Sequence, residues 1–296
     1  LPYIRKDGQV NPEYHDITDT EELDDMAADV EFLGLAYFYT KNEKYAGLAA
    51  KILKTWFLET DTKMNPNLNF GQSIPGLNTG RGTGIIESRG LVRALDGVLL
   101  IQSSKSWSNL DHQNLTKWFS DYLGWLTESK YGIEESNAKN NHGTHYDAQT
   151  IAFALFVGNH DLARQQLEKT KKRIESQIEP DGSQPHELAR TASWSYTNMN
   201  LNGFFNIAQL AENVDVNLWK FQTPNGKSIK TALDWFLPFV RKERNWEYQQ
   251  IKKFDNSLII RNLKIAALKY QNTEYDALAK SFDPKVYQAD YINLVF

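Results

Sequence analysis

The chain has 296 residues, a formal net charge of −4 at pH 7, 41% hydrophobic residues and no cysteine. This length and apolar content suit one large globular domain or two smaller ones. The negative charge gives no general attraction to nucleic acid or to an anionic membrane surface. The lack of cysteine excludes disulfides, thiolate metal ligands and cysteine nucleophiles. No apolar run approaches the ~18 residues of a membrane-spanning helix, so no membrane insertion is expected.

Helical periodicity begins near the N-terminus. Apolar residues recur at three-four spacing from Glu21 to Tyr39 and again from Lys44 to Leu58, which is the pattern of a helix with one buried face. The joint between the two runs, residues 40–43, is short enough to force the helices antiparallel. The sequence therefore predicts a helical hairpin here.

A long stretch without helical periodicity follows at residues 65–84, rich in Gly, Asn and Pro. Loops of this length inside a compact domain are usually functional or mobile. Residues 65–84 do not form a nucleotide-binding loop, since no strand precedes the glycines and no Gly-Lys-Ser/Thr follows. Gln72, Arg81 and Arg89 are predicted to bind substrate carboxylates, because Arg pairs with carboxylates bidentately. An ion pair between Glu87 and a nearby arginine is the structural alternative.

The same kind of helix joint recurs twice. Residues 156–163 and 269–277 again show an apolar helix end, an Asn-containing turn and an acidic residue that opens the next helix. The first of these joins an apolar run, residues 151–157, to an amphipathic run, residues 162–178. An inner helix paired with an outer amphipathic helix is typical of an α/α toroid. We predict an all-α toroid, an incomplete barrel of antiparallel helical hairpins, as a single domain over residues 1–296; a plain bundle is the alternative.

Polar side chains cluster where a loop runs into the apolar helix of residues 151–157. Thr144 and Asp147 have the spacing of a capping box, which predicts a helix that begins near Thr144. Asn141 and His142 would then lie just before the helix, at the rim of a pocket. The structural alternative is that these two side chains only cap or close a turn.

A second polar segment, residues 184–190, leads into another apolar run. On a regular helix, Arg190 and Tyr196 would point about 120° apart. A shared site therefore requires Arg190 in an irregular segment before the helix and Tyr196 within it. Each alone has a structural explanation, as a salt-bridge partner and as a core tyrosine. Together with Asn141 and His142, they supply the groups needed to take a carbon-bound proton from a sugar acid.

Three further side chains near these segments are candidates for substrate binding. They are His145, Tyr146 and His186. His145 and Tyr146 lie on the predicted helix itself, where packing or support of the reacting groups is the alternative. His142 and His145 are three residues apart, but no third ligand has a suitable spacing, so no metal site is predicted.

These segments resemble the alginate lyase family of polysaccharide lyases. The resemblance rests on Asn140-Asn141-His142, on the downstream Arg190 and Tyr196, and on a Trp-Leu pair at residues 125–126. Residues 1–13 and 70–89 are similar to a Bacteroidota-type branch, so the likeness covers nearly the whole chain. In such relatives an aromatic- and proline-rich stretch precedes the Leu-Pro-Tyr-Ile segment, and we expect part of the natural N-terminus to be missing here.

One motif departs from the best-known branch of that family. Ser-Tyr-Trp follows the histidine there, whereas this chain has Gly143-Thr144-His145. The departure affects the identity of the substrate more than the type of reaction. Some relatives with this glycine resemble lyases of glucuronan.

The resemblance implies an α/α toroid, no cofactor, and β-elimination at a 1,4-linked uronate in an anionic polysaccharide. Alginate rich in mannuronate is the expected substrate, and glucuronan is the next. Asn141 and Arg190, with His142, would neutralise the carboxylate beside C5. Tyr196 would act as both base and acid, because the C5 hydrogen and O4 lie on the same side in these β-linked uronates. Arg190 would favour the phenolate of Tyr196, and His142 is the rival base.

Two other functions stay open at this point. An α/α-toroid glycoside hydrolase would need two opposed carboxylates, and Asp147 and Glu187 are the available pair. A non-catalytic polysaccharide-binding protein is the third possibility. A periplasmic or secreted location fits an enzyme of this kind, and the oligomeric state is open.

Overall fold

The computed structural model describes residues 6–9 and 11–289, and within them the regular secondary structure is helical. The α-helices are α1 (Asp19–Thr40), α2 (Glu43–Phe57), α3 (Leu91–Ile101), α4 (Asn109–Glu128), α5 (Lys130–Ser136), α6 (Asn141–Phe156), α7 (His160–Gln177), α8 (Pro185–Leu188), α9 (Ser193–Ala211), α10 (Ile229–Val240), α11 (Ser257–Lys269), α12 (Thr273–Lys280) and α13 (Pro284–Ala289). Short 3₁₀ helices cover Pro12–Asp16, Gly82–Gly90, Glu212–Val214 and Leu218–Lys220. The Leu-Pro-Tyr-Ile segment at the N-terminus lies outside the described residues.

Packing divides the described residues into two compact units. The first unit contains residues 11–137 and 146–163, and the second contains residues 6–9, 138–145 and 164–289. The division falls within α6, between His145 and Tyr146. The single domain over residues 1–296 stays a prediction.

The helix joints predicted from the sequence all form, and each is closed by an asparagine. The side-chain oxygens of Asn42, Asn159 and Asn272 accept hydrogen bonds of 3.0, 3.1 and 2.9 Å from backbone N–H groups in the first turn of the next helix. The residue before each asparagine has a positive φ: Lys41 (54°), Gly158 (78°) and Gln271 (52°). A left-handed residue ends one helix and an asparagine begins the next, which confirms the predicted hairpin joints.

The first unit contains a close helix–helix contact built on two glycines. An added Cβ at Gly97 on α3 would lie 2.3 Å from the carbonyl oxygen of Val30 on α1. One at Gly34 on α1 would lie 2.7 Å from the Cα of Gly97. The two backbones therefore touch where a side chain would hold them apart. This contact fixes α3, which follows the 3₁₀ helix Gly82–Gly90.

The second unit is organised around α9. Its apolar side chains, including Leu201, Phe204 and Phe205, are fully buried, and α9 packs against α8, α10 and α11. The segment between α10 and α11 forms hydrogen bonds with the start of α9. Within it, the backbone N–H of Ile251 donates to Thr191 O at 2.9 Å, and Trp246 Nε1 donates to Ser193 Oγ at 2.9 Å.

One predicted boundary was wrong. Helix α6 begins at Asn141, three residues before the start predicted from Thr144 and Asp147. The Thr144 hydroxyl is buried and donates to the side-chain oxygen of Gln177 at 3.1 Å instead of closing a capping box. The helix begins earlier because the carboxylate of Glu187 accepts from the backbone N–H of Asn141. Asn141 and His142 therefore lie in the first turn of α6 and not before it.

Candidate active site

The buried end of the candidate site, in the second unit, contains Asn141 paired with Glu187. Glu187 Oε1 accepts from the backbone N–H of Asn141 at 2.5 Å, and Oε2 accepts from the Asn141 amide nitrogen at 2.8 Å. Both residues are only 1% exposed. The first N–H groups of a helix have no partner inside it, so the Glu187 carboxylate caps α6 while it orients the Asn141 amide.

Charge around Glu187 identifies its neighbours. Burial raises the pKa of the Glu187 carboxyl group above its usual range. The hydrogen bonds from Asn141 and the electrostatic interactions with Arg190 and His142 act in the opposite direction. His142 and Arg190 therefore lie within electrostatic range of this carboxylate. The four residues form one polar cluster at the start of α6 and in the segment before α9.

Arg190 and Tyr196 are stacked on each other. The guanidinium carbon of Arg190 lies 3.8 Å from the centroid of the Tyr196 ring. Arg190 belongs to the irregular segment between α8 and α9, and Tyr196 lies in the first turns of α9. This is the geometry that the six-residue spacing required for a shared site. The cation–π contact brings a fixed positive charge against the phenol ring.

The guanidinium of Arg190 is also paired with Asp7. Its Nε donates to both carboxylate oxygens of Asp7 at 3.0 Å, and its Nη2 donates to Asp7 Oδ1 at 2.6 Å. The hydrogen bonds from Arg190 hold the pKa of the Asp7 carboxyl group well below its usual range. Burial tends to lower the pKa of Arg190, but the hydrogen bond to Asp7 and the charges of Tyr196, Asp7 and Glu187 outweigh it and raise that pKa. Arg190 is therefore a permanent cation.

The predicted catalytic residues differ in how far solvent can reach them. Asn141 is buried, whereas His142, Arg190 and Tyr196 are half-buried. An accessible phenol and imidazole beside a buried amide and a fixed cation can hold a carboxylate and move a proton. The arrangement therefore brings together all four residues predicted as catalytic.

The other predicted residues around α6 and α8 have different surroundings. His145 is buried, and its ring lies against α9, 3.4 Å from where a Cβ on Gly203 would be. Tyr146 is buried in the first unit, and its hydroxyl donates to Leu126 O at 3.2 Å. His186 is exposed. A role in substrate binding for these three residues stays a prediction.

Gln72, Arg81 and Arg89 lie in the first unit. Arg81 Nε donates to the backbone oxygen of Gln72 at 3.1 Å, and the exposed Arg89 donates to Ile86 O at 3.1 Å. The Gln72 side-chain oxygen accepts from the hydroxyl of Thr83 at 3.2 Å. These bonds order the end of the long loop and the 3₁₀ helix after it. Binding of substrate carboxylates by the three residues stays a prediction.

Gln72 also lines a cavity of about 590 Å³ in the first unit. Asp19, Glu22 and Glu87 contribute carboxyl groups to it, and the described residues that line it include neither Lys nor Arg. Burial raises the pKa of the Glu87 carboxyl group. An anionic polymer would meet negative charge here, so the described lining of this cavity does not favour uronate binding.

The glycine that departs from the best-known branch has a local structural cause. An added Cβ at Gly143 would lie 2.0 Å from Arg173 Nη1 and 2.2 Å from Ala138 O. Arg173 Nη1 donates to Ala138 O at 2.6 Å. The place of a side chain at residue 143 is therefore taken by this hydrogen bond, which closes the loop before α6.

Two features of the site could not be predicted from the sequence. They are the contact of Asp7 with Arg190 and the contact of Glu187 with Asn141. The sequence indicates Glu187 only as the acid of a hydrolase, and no sequence pattern singles out Asp7. A hydrogen-bonded carboxylate next to a candidate Arg leaves no local pattern when the partners are 183 residues apart. The position of Glu187, three residues before Arg190, is the only sequence signal that could have drawn attention to it.

Comparison with known proteins identifies the family. The sequence model of the family described as alginate lyase matches residues 1–246. This chain belongs to the alginate lyase family. A crystal structure of an alginate lyase from Bacteroides ovatus is 39% identical, with a TM-score of 0.91, over 96% of this chain and 76% of that one. Comparison with curated protein sequences gave no match.

More distant structures share the fold. Alginate lyase A1-III from Sphingomonas species A1 is 15% identical, with a TM-score of 0.66, over 96% of this chain and 75% of that one. A tyrosine-to-phenylalanine variant of A1-III, complexed with a tetrasaccharide, is 15% identical with a TM-score of 0.65 over 97% of this chain and 76% of that one. The all-α toroid predicted from the sequence is confirmed. As a member of the alginate lyase family, this chain is an enzyme of the polysaccharide lyase class.

No helix in the described part of this alginate lyase is long and apolar enough to cross a membrane. Among residues 6–9 and 11–289, no group of three or more His, Cys, Asp or Glu side chains could hold a metal ion.

Proposed function

We propose that this alginate lyase cleaves β-1,4-linked uronate polymers by β-elimination, with mannuronate-rich alginate as its substrate and glucuronan as the next candidate. The stack of Arg190 on Tyr196 carries the proposal, because it joins a proton-transfer group to a fixed cation. The A1-III complexes with a tetrasaccharide support an oligosaccharide ligand for a lyase of this fold.

The first step would be neutralisation of the substrate carboxylate. A C5 hydrogen becomes acidic enough for removal only when charge that develops on the carboxylate is stabilised. The Asn141 amide nitrogen donates one hydrogen to Glu187, and its second hydrogen would be donated to the substrate carboxylate. His142 and Arg190 add donors beside it. The buried Glu187 would keep the amide in place during the reaction.

The elimination itself would use Tyr196. Its phenolate takes the C5 proton, the C5–H electrons form the C4–C5 double bond, and the C4–O4 bond breaks. The same proton then passes from the phenol to the departing O4, so Tyr196 ends as it began. The products are a new non-reducing end with a 4,5-unsaturated uronate and a shortened chain. His142 is the alternative base.

The hydrolase alternative is poorly supported by geometry. Asp147 and Glu187 are both buried, and both oxygens of Glu187 accept hydrogen bonds from Asn141. A glycosidase needs two carboxyl groups that face the sugar from opposite sides. A non-catalytic binding protein would have no use for a phenol stacked on a cation beside a buried amide.

The test is ultraviolet absorbance during separate incubations with polymannuronate, polyguluronate and glucuronan. A rise marks the double bond conjugated to the carboxylate and identifies the substrate by the polymer that gives it. We expect the fastest rise with polymannuronate. Reducing ends without a rise in absorbance would replace elimination by hydrolysis, and binding without any product would leave a polysaccharide-binding protein.

We also infer a periplasmic or secreted location, because a polymer of this size must be met outside the cytoplasm. Fractionation of cells that produce the natural protein, with lyase activity assayed in each fraction, tests this. Activity confined to the cytoplasmic fraction would refute it.

A further inference from the structure

Asp7 binds the two residues that lead into α9 as one unit. Besides the bonds from Arg190, Asp7 Oδ2 accepts from the backbone N–H of Thr191 at 3.0 Å and from its hydroxyl at 3.1 Å. The Thr191 hydroxyl also lies 2.8 Å from the backbone oxygen of Asp7. The Arg190–Asp7 pair is partly buried, with side chains 19% and 28% exposed. Such a pair holds a long, flexible side chain in one orientation.

The turn after Asp7 is fitted closely to the same place. Gly8 has a φ of +70°, and an added Cβ would lie 2.6 Å from Thr191 Oγ1 and 3.1 Å from Ile251 Cδ1. Ile251 in turn donates its backbone N–H to Thr191 O at 2.9 Å. Thr191 is therefore held from both sides, and both the left-handed φ and the crowded space at residue 8 favour glycine beside Asp7.

We propose that Asp7 is a positioning residue for the elimination, which holds the guanidinium of Arg190 against the ring of Tyr196. This rests on the proposed function. Asp7 occupies Nε and Nη2 of Arg190, which leaves Nη1 as the part of the guanidinium not bonded to it. Nη1 thus remains for the substrate carboxylate, beside Asn141 and His142, while the face of the guanidinium lies against the phenol ring.

The physical reason is orientation. The planar guanidinium stacks best on an aromatic face when its plane is fixed, and an unpaired Arg side chain is free to adopt many rotamers. A cation against the ring favours the phenolate over the phenol. Loss of Asp7 removes the bonds that hold this cation in place. The phenolate of Tyr196 then forms only at higher pH.

The experiment compares Asp7→Asn and Asp7→Ala with Asp24→Asn, which removes the carboxylate of another Asp–Arg pair, 2.8 Å from Arg93. An asparagine oxygen at residue 7 still accepts from Thr191 but gives no charge to Arg190. kcat and KM are measured on polymannuronate, or on the polymer that the wild type prefers, from pH 5 to pH 10. We expect kcat to fall about 10- to 100-fold, KM to change little, and the acidic limb of kcat/KM to move to higher pH. Asp24→Asn should match the wild type.

A second variant guards against loss of folding. Gly8→Ala keeps the carboxylate but displaces its segment, and we expect the same upward move of the acidic limb. Thermal unfolding of each variant identifies any that fails to fold, and the conclusion then rests on the folded one. An acidic limb that stays in place or moves to lower pH, or a change in KM alone, overturns the role of Asp7. A wild type without elimination overturns the proposed function and this inference together, whereas an active wild type with indifferent Asp7 variants overturns this inference alone.

Discussion

The carboxylate of Glu187 binds Asn141 through two donors, its backbone N–H at 2.5 Å and its amide nitrogen at 2.8 Å. One acidic side chain thereby begins helix α6 and fixes the amide that we propose to meet the substrate. The other amide atom of Asn141, Oδ1, is buried without a hydrogen-bond partner within the described part of the chain. The pairing is thus specific for one orientation of the amide.

Replacement of Glu187 by Gln should change how stability depends on pH. Burial raises the pKa of Glu187, so between about pH 4.3, its usual value, and the raised pKa the folded state binds more protons than the unfolded state. The free energy of unfolding of the wild type therefore falls as pH rises through this window. In Glu187→Gln this fall should be absent. Urea unfolding of both proteins from pH 4 to pH 7 measures the difference, and parallel curves would contradict it.

The same variant should also lose activity. A Gln side chain has one acceptor oxygen in place of the two carboxylate oxygens that face the donors of Asn141, and one buried donor left unpaired costs about 1–3 kcal/mol. We expect the Asn141 amide to turn and kcat to fall, with the helical circular dichroism retained. Glu212→Gln is a suitable control, because Glu212 also accepts two hydrogen bonds from one residue, Lys269, but at an exposed position. Equal activity in Glu187→Gln and the control would remove Glu187 from the site.

Tyr196→Phe should abolish turnover and leave the fold intact. The ring that stacks on Arg190 stays, but the group that carries the proton is gone. General acid–base catalysis contributes roughly 10²- to 10⁴-fold to the rate. The rate at which absorbance increases should therefore be lower by a factor of at least about 10². Tyr248→Phe, at an exposed tyrosine of the same unit, serves as the control. Full activity in Tyr196→Phe would leave His142 as the base.

Arg190→Lys should reduce kcat although it keeps the charge. Lysine offers neither a planar group for the Tyr196 ring nor the paired donors that Asp7 accepts. We expect kcat to fall about tenfold or more, and the melting temperature to fall only slightly. Arg241→Lys, which alters an exposed ion pair with Glu274, controls for the substitution itself. A fully active Arg190→Lys would mean that charge alone suffices at this position.

Gly143→Ala should destabilise the protein. The new Cβ would meet Arg173 Nη1 and Ala138 O at 2.0 and 2.2 Å, and overpacking of this kind costs about 1–3 kcal/mol. The matched control is Gly124→Ala on α4, where nothing lies within 4 Å of the new Cβ. Alanine there should stabilise the helix by about 0.5–1 kcal/mol. Thermal unfolding compares the two, and a melting temperature for Gly143→Ala equal to that of the wild type would show that Arg173 moves aside at no cost.

The sequence by itself determined the helices around the three predicted joints and the joints themselves. Three-four spacing of apolar residues reports which side of a helix is buried, and a cap such as Asn42 acts on a backbone group two residues away. For the same reason the spacing of Arg190 and Tyr196 was sufficient to require one residue before α9 and the other within it. These are local properties, and a local pattern can encode them.

Only the tertiary structure decided the partners of the candidate site. The contacts of Asn141 with Glu187 and of Arg190 with Asp7 join residues 46 and 183 positions apart, and neither leaves a trace in local spacing. The start of α6 was misplaced for this reason, since a carboxylate from α8 caps it in place of Thr144. Packing likewise decided that His145 and Tyr146 are buried. Periodicity shows that a side chain faces inward, but which atoms meet there depends on the way the chain returns to the same place.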